Sequence, residues 1–597
     1  MGFVKASAIA IGFLLFPGVT SSPTPPVDKR SDCSPNPRSI FIREILAKSN
    51  YPSHPTIPTP PDVPLKVGII GAGAAGLYSA VLLDSLGIDY DILEASGRVG
   101  GRIYTYRFND TAWKASTPDD PDFYDYYDVG AMRFPGMKSY MDRIIGTTND
   151  SLIPYINSLV EHPKDKVQQI PYIFTAQNTF RRYNDILQYN QVPPTADIFD
   201  AELADNGTVD AQFARLDPTT VWANVTNTLT TALSNDFTEG FNLLMNYDQQ
   251  SVRAYLLSQG FTGPQVDWME TINDATDHYD MYSMSQSVLE EWIFSEAPLD
   301  SWTCINGGMD RLTNGMLQII KNKPIMNTPV TSILPATNQQ LQLTFNGTQE
   351  KTYAHVISTI PLGALQTVDL RKLDIDYAQR HAIRKLNYDP AMKIGMKFKS
   401  RWWENLPVPF EGGQSYSDVP IRRCVYPSYG VNLPKDTAPG TMIASYVWGQ
   451  DSSRLGAHLG TPESRERLVE ITLQDLAAMN NLTYEFIREQ YVDYHAWDWY
   501  QDEWSVGAFA IFSPDQFSKV MPALMTPAEN GHVHWGGEAL SSGHAWIIGA
   551  VNSAYRCVVE ILKTEGRDDL IAELVSKWGT IDEVEMGWYT TSDVGGP

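Results

Sequence analysis

Gly71, Gly73 and Gly76 lie between an apolar run, KVGII, and a helical pattern, AAGLYSAVLLDSLG; a second apolar run, DYDILE, then ends in Glu94. Glycines at this spacing permit a tight turn, close approach of the backbone to a pyrophosphate, and close helix–strand packing. The start of the helix offers free N–H groups and the positive end of a dipole to phosphate oxygens. Glu94 stands where an acid can accept from the hydroxyls of an adenosine ribose. The chemistry is dinucleotide binding. Because NAD and FAD share that ribose, these residues alone leave the choice between them open.

Other candidate residues are scattered along the chain. Gly100-Gly101-Arg102 follows the ribose acid directly, and Arg133 sits in GAMRFP. Lys393 (AMKIGMKF), Tyr446 (MIASYVWGQDS) and Trp497 (HAWDWYQDEWSVGAFAIF) fall in aromatic, strand-like stretches, and Glu538 and HAWI lie near the carboxyl end. The run EASGRVGGRIYTYRF resembles the second fingerprint of the flavin amine oxidase family, and WGGEALSSGHAWIIGAVNSAYR resembles its closing flavin segment. The resemblance spans about residues 65–565 and is weakest in the helical middle. It implies FAD. It also implies non-covalent attachment, since Cys557 lies in the terminal helix, beyond the expected isoalloxazine contacts.

The resemblance implies cofactor contacts at Gly71, Gly73, Ala74, Ala75, Gly76, Glu94, Ala95, Gly101 and Arg102, then at Gly130, Ala131, Met132 and Arg133. Further contacts are implied at Val330, Trp497 and Glu538, and at Ala545, Trp546, Ile547, Ile548, Gly549 and Ala550. Within the family, GAMR is similar to the corresponding segment of secreted, fungal-type L-amino acid oxidases. Arg133 would then grip the substrate carboxylate in two-pronged fashion, assisted by the hydroxyl of Tyr446. The Ala545 carbonyl would meet the substrate amine, where many relatives have glycine, and Trp546 would form an aromatic wall. Lys393 matches the catalytic lysine that holds a water against flavin N5. His162 and His278 are the candidates for a substrate-facing histidine of the helical insert. The activity implied is oxidative deamination of L-amino acids to 2-oxo acids, ammonia and hydrogen peroxide, by hydride transfer from Cα to flavin N5. The alternatives are a polyamine or monoamine oxidase on the same fold, or a non-catalytic secreted flavoprotein.

These residues need an α/β scaffold of mixed type. The expected parts are a Rossmann-like FAD-binding domain of the flavin amine oxidase (glutathione-reductase-like) type, a mixed-sheet substrate domain and an inserted helical domain. FAD-binding segments are expected at 65–107, 298–388 and 528–566, and substrate-binding segments at 108–153 and 389–527. A helical insert is expected at 154–297 and a C-terminal tail at 567–597, loose at its end, TTSDVGGP. A proline-rich extension, 31–64, precedes the first strand.

The formal net charge of -25 excludes a nucleic-acid partner, which needs a basic face. The expected partners are an L-amino acid and oxygen, with no membrane; a homodimer is left open. Lys5 before the apolar run ASAIAIGFLLF predicts a signal peptide over residues 1–20, and Lys29-Arg30 a pro-segment ending at residue 30. Six N-x-S/T sequons, at Asn109, Asn149, Asn206, Asn224, Asn346 and Asn481, agree with secretion. The four cysteines are too widely spaced for a zinc knuckle, and a Cys33–Cys304 bridge is expected. His532 and His534 alternate on one strand face without further ligands nearby in sequence, so no metal site is expected.

Overall fold

A computed structural model describes residue 45 and residues 64–190, 196–435, 438–581 and 583–584. The signal, pro-segment and Cys33 expectations fall outside these residues.

The apolar runs around the glycine turn form a four-stranded parallel sheet. Its order is Asp89–Leu93, Lys66–Ile70, His355–Ser358 and Val533–Trp535. Both faces are covered, as parallel sheets require. Helix Ala74–Ser85 packs on helix Ile547–Thr564, and both bury most of their residues. A three-stranded antiparallel sheet, Gln349–Tyr353, Leu341–Phe345 and Val330–Pro335, extends the same core.

The second layer is a seven-stranded mixed sheet. Its order is Tyr491–Asp498, Ala391–Phe398, Gly440–Trp448, Arg423–Val425, Gln414–Ser417, Phe180–Tyr183 and Ile186–Tyr189. One face packs on helix Pro462–Met479 around a core containing Met392, Ile394, Met442 and Leu473. The other carries Lys393, Tyr446 and Trp497. This alternation is the two-residue period of a strand.

Two expected boundaries need correction. Residues 154–297 are not wholly helical, because Phe180–Tyr183 and Ile186–Tyr189 complete the mixed sheet and Gln169–Pro171 pairs with Thr303–Ile305. These strands are short and half polar, so they show no clear period. The continuous helical part runs from Ala211–Ala214 to Met284–Glu296. The tail also begins later than residue 567: helix Asp568–Trp578 buries Leu570, Ile571, Leu574 and Trp578. Its apolar positions recur at helical spacing and pack on helix Ile547–Thr564.

Cys304, Cys424 and Cys557 are buried free thiols. Cys304 lies in the strand Thr303–Ile305, where burial is enough to explain a cysteine, and Cys33, the other half of the expected bridge, lies outside the described residues.

Candidate active site and dinucleotide cleft

One large cavity, of about 1160 Å³, runs between the parallel sheet and the mixed sheet. It exceeds the usual range for drug-sized ligands, about 300–1,000 Å³, and an elongated dinucleotide accounts for the difference.

At one end, the glycine turn and Glu94 form a single unit. The Glu94 carboxylate is 7 % exposed and accepts the Ala72 N–H at 2.7 Å and the Ser96 N–H at 2.9 Å. Glu94 therefore clamps the glycine turn to the end of its neighbouring strand as well as lining the cavity. Gly71 has φ +102°, and a Cβ on Gly76 would lie 1.9 Å from the Gly71 carbonyl oxygen. Gly76 is thus needed for packing and does not line the cavity. Gly73 caps helix Ala74–Ser85 with no side-chain hydrogen bond, leaving the first N–H groups free for an anion. Gly100 bridges Gly73 and donates to the Ala72 carbonyl at 2.8 Å, so the second glycine pair lies directly against the first.

At the centre, Arg102 and Glu538 meet at 3.0 Å. Glu538, 6 % exposed, also accepts the N–H groups of Ala510 (2.5 Å) and Ala545 (3.1 Å). Ala545 has φ +63°, a region that favours glycine, and is exposed toward the cavity that it lines. Helix Ile547–Thr564 starts there; Ile547 and Ala550 line the cavity, whereas Ile548 and Gly549 do not. Gly549 packs against Gly543, where a Cβ would come within 2.4 Å of a carbonyl oxygen. Ala74, Ala75, Ala95, Gly101, Gly130, Ala131 and Val330 also line the cavity, and Met132 does not.

At the far end, three strands of the mixed sheet place Trp497, Lys393 and Tyr446 in one register row. Lys393 is 2 % exposed and donates to the carbonyls of Gly130 (2.6 Å) and Asp128 (3.0 Å). Burial pulls its pKa down, Asp128 opposes this, and Arg133 adds to it. Burial pushes the neighbouring Asp128 carboxyl up. The Lys393 ammonium lies 4.4 Å from the Tyr446 ring centroid.

Arg133 stands just outside the cavity lining, in an aromatic box. Its guanidinium lies 4.8 Å from the Phe174 centroid and 5.5 Å from those of Tyr172 and Trp302, and it donates to the Tyr172 hydroxyl at 3.2 Å. Trp546 packs on Trp302 at 6.0 Å, so the box borders the cavity wall. No carboxylate pairs with Arg133 among the described residues. Sequence reasoning missed Tyr172, Phe174 and Trp302, since nothing local marks them. It also missed Glu290 in the helical part, which accepts the Trp546 indole N–H at 3.3 Å.

Neither candidate histidine of the insert lines the cavity. His162 is exposed and accepts the Lys164 N–H. His278 is buried between Asp274 (2.5 Å) and Asp389 (3.2 Å). Burial opposes its charge, but the two carboxylates outweigh it and raise its pKa, so His278 fastens helix to sheet as a cation. His534 and His355 are engaged with each other and with Glu560 and Glu565. No group that could hold a metal occurs among the described residues.

The glycine turn, the uncapped helix start, the buried acid at the strand end and the arginine–glutamate pair define an FAD-binding fold; the free helix N–H groups and the cavity's volume fit that cofactor. The family described as flavin containing amine oxidoreductase matches residues 74–562, and the chain belongs to it. A bifunctional amine oxidase, so named, of Dictyostelium discoideum is 39% identical over 551 residues; these are 87% of this chain and 48% of that protein. The chain therefore spans about half the length of that relative. L-amino-acid oxidase 4 of Hebeloma cylindrosporum is 35% identical over 550 residues, 85% of this chain and 83% of that protein. Among solved structures, putrescine oxidase bound to putrescine superposes with a TM-score of 0.59 at 16% identity, covering 84% of this chain and 99% of that one. At such identity the likeness establishes the fold alone.

The clamp of Glu94 on the glycine turn makes an expected result. Glu94→Ala removes ribose contacts and two backbone anchors, each charge-assisted bond being worth about 1.5–3 kcal/mol. Purified variant should retain its fold but lose FAD on gel filtration. Equilibrium titration of apoprotein showing unchanged FAD affinity would refute the ribose assignment.

Proposed function

We propose that the protein oxidatively deaminates L-amino acids, yielding 2-oxo acid, ammonia and hydrogen peroxide. The observation that carries this reading is Arg133: a guanidinium held by three aromatic rings and a tyrosine hydroxyl, with no carboxylate partner among the described residues. A half-buried cation without a counter-charge is costly, and a substrate carboxylate would supply the counter-charge. An amine without a carboxylate would not. The relative from Hebeloma cylindrosporum, an L-amino-acid oxidase by name, supports the same reading.

FAD, held non-covalently by the glycine turn, Glu94, Arg102 and Glu538, would supply the hydride acceptor for Cα and the route for electrons to oxygen. The chain's own residues orient and desolvate. Arg133 and Tyr446 hold the carboxylate, which fixes the position of Cα. The Ala545 carbonyl accepts from the substrate amine, and Trp546 and Trp497 form walls that exclude water. Lys393, with its pKa pulled down by burial, holds a water in hydrogen-bonding position at the sheet end of the cleft.

An anaerobic screen of the twenty amino acids and their decarboxylated amines, followed by flavin bleaching, tests the activity. Bleaching by amines alone would select a monoamine or polyamine oxidase. Lys393→Met should slow reoxidation of reduced enzyme by on the order of a hundredfold, as loss of one preorganised donor does. Stopped-flow mixing with oxygen checks this, and an unchanged rate would remove Lys393 from the oxidative half-reaction.

We also propose that the protein is exported and glycosylated. All six sequon asparagines are exposed in the fold, and no helix among the described residues is long and apolar enough to cross a membrane.

A further inference from the structure

Arg423 is a second guanidinium on the substrate face of the mixed sheet. Its position follows from the register. Val425 pairs with Ile443, which pairs with Gly395, two residues from Lys393 on the same strand. A bulge in Gly440–Trp448 brings Ile443 and Tyr446 onto one face despite their odd spacing. Arg423, two residues before Val425, shares that face. Its guanidinium lies 4.4 Å from the Trp448 centroid and 5.0 Å from that of Tyr416.

No carboxylate pairs with Arg423 among the described residues, although acids are close by. Asp451 is taken by Arg422 (3.3 Å) and by the Thr276 hydroxyl (2.9 Å), and Asp274 by His278. Burial lowers the pKa of Arg423, and the strongest fields acting on it come from Tyr416, Arg133, Tyr183 and Tyr446. Arg423, Trp448 and Tyr446, together with Asp274 and Asp451, line a small cavity of about 20 Å³ that shares Tyr446 with the main cleft. Arg133 and Arg423 thus act on the Tyr446 phenol together. Two like charges in a low-dielectric site repel, and one bound anion satisfies only one of them.

We propose that Arg423 is a second anion subsite beyond Tyr446, and that the preferred substrates are L-amino acids whose side chain carries a carboxylate. This rests on the reading of Arg133 and Tyr446 as the clamp for the α-carboxylate. Arg423 meets the second carboxylate with a planar fork held between two aromatic rings, a geometry a lysine could not reproduce. Such a substrate brings two negative charges to two unpaired cations, which a neutral side chain leaves half compensated.

The test uses purified holoenzyme. Initial rates with L-glutamate and L-aspartate are compared with those of the neutral L-norvaline. At least one acidic substrate should exceed L-norvaline in kcat/KM by about tenfold or more. In Arg423→Met the ratio of acidic to neutral kcat/KM should fall by roughly thirtyfold, and Arg423→Lys should restore part of it. A second measurement does not need the variant to fold: glutarate should perturb the wild-type flavin spectrum at concentrations about tenfold lower than butyrate. Preference for L-norvaline over both acids, an unchanged ratio in Arg423→Met, or equal binding of glutarate and butyrate would overturn the subsite while leaving the amino acid reading intact. Turnover of amines but of no amino acid would instead remove the Arg133 clamp, and the subsite with it.

Discussion

Replacing Arg133 by methionine should cost about 2–5 kcal/mol in kcat/KM for L-amino acids, because a substrate carboxylate would then be desolvated without its partner. Methionine keeps bulk against Phe174 and Trp302, so the box should survive. The matching amines lack the carboxylate; they should be poor substrates of the wild type and should not worsen further. Tyr446→Phe removes one neutral donor and should cost less, about 0.5–1.5 kcal/mol. Steady-state kinetics on paired amino acids and amines separates these outcomes. Equal losses for both classes would mean that Arg133 supports the fold or the flavin, and the amine oxidase reading would replace the present one.

Glu538→Ala should be the most damaging single change at the cofactor. It strips Arg102 of its carboxylate and leaves the Ala510 and Ala545 N–H groups without their acceptor. Breaking a buried ion pair from one side typically costs about 3–5 kcal/mol. The expected result is largely flavin-free protein with a lowered Tm. Glu538→Gln keeps the shape and one acceptor oxygen, and should retain more flavin. A Glu538→Ala protein as yellow and as heat-stable as the wild type would show that Arg102 needs no counter-charge there.

The glycine turn, Glu94, the second glycine pair and the closing helix were legible because each is a local pattern: a few residues whose spacing matches a backbone conformation. The row of Trp497, Lys393 and Tyr446 was legible only through resemblance. The three lie on separate strands, and their alignment depends on register rather than on neighbours in sequence. The box around Arg133 was not legible: Phe174 follows the strand Gln169–Pro171 and Trp302 directly precedes Thr303–Ile305, and they meet only when those two strands pair. Arg423 was hidden further by the bulge, which changes which residues share a face. Gly76 and Gly549 pack closely on Gly71 and Gly543, and for Gly549 that contact has no local signature in the sequence.

The parallel sheet also has a consequence for how the protein must be made. Val67 pairs with His355, and Ile357 in turn with His534. A ribosome therefore releases the glycine turn long before the last strand and the helix that seats the cofactor. Until Val533–Trp535 and Ile547–Thr564 emerge, the sheet lacks its fourth strand and the helix packed on Ala74–Ser85, and such long-range parallel pairing is slow. Cofactor loading is accordingly a late event in the life of the nascent chain, and a polypeptide that stops short of the final helix would expose sticky strands to chaperones and proteases.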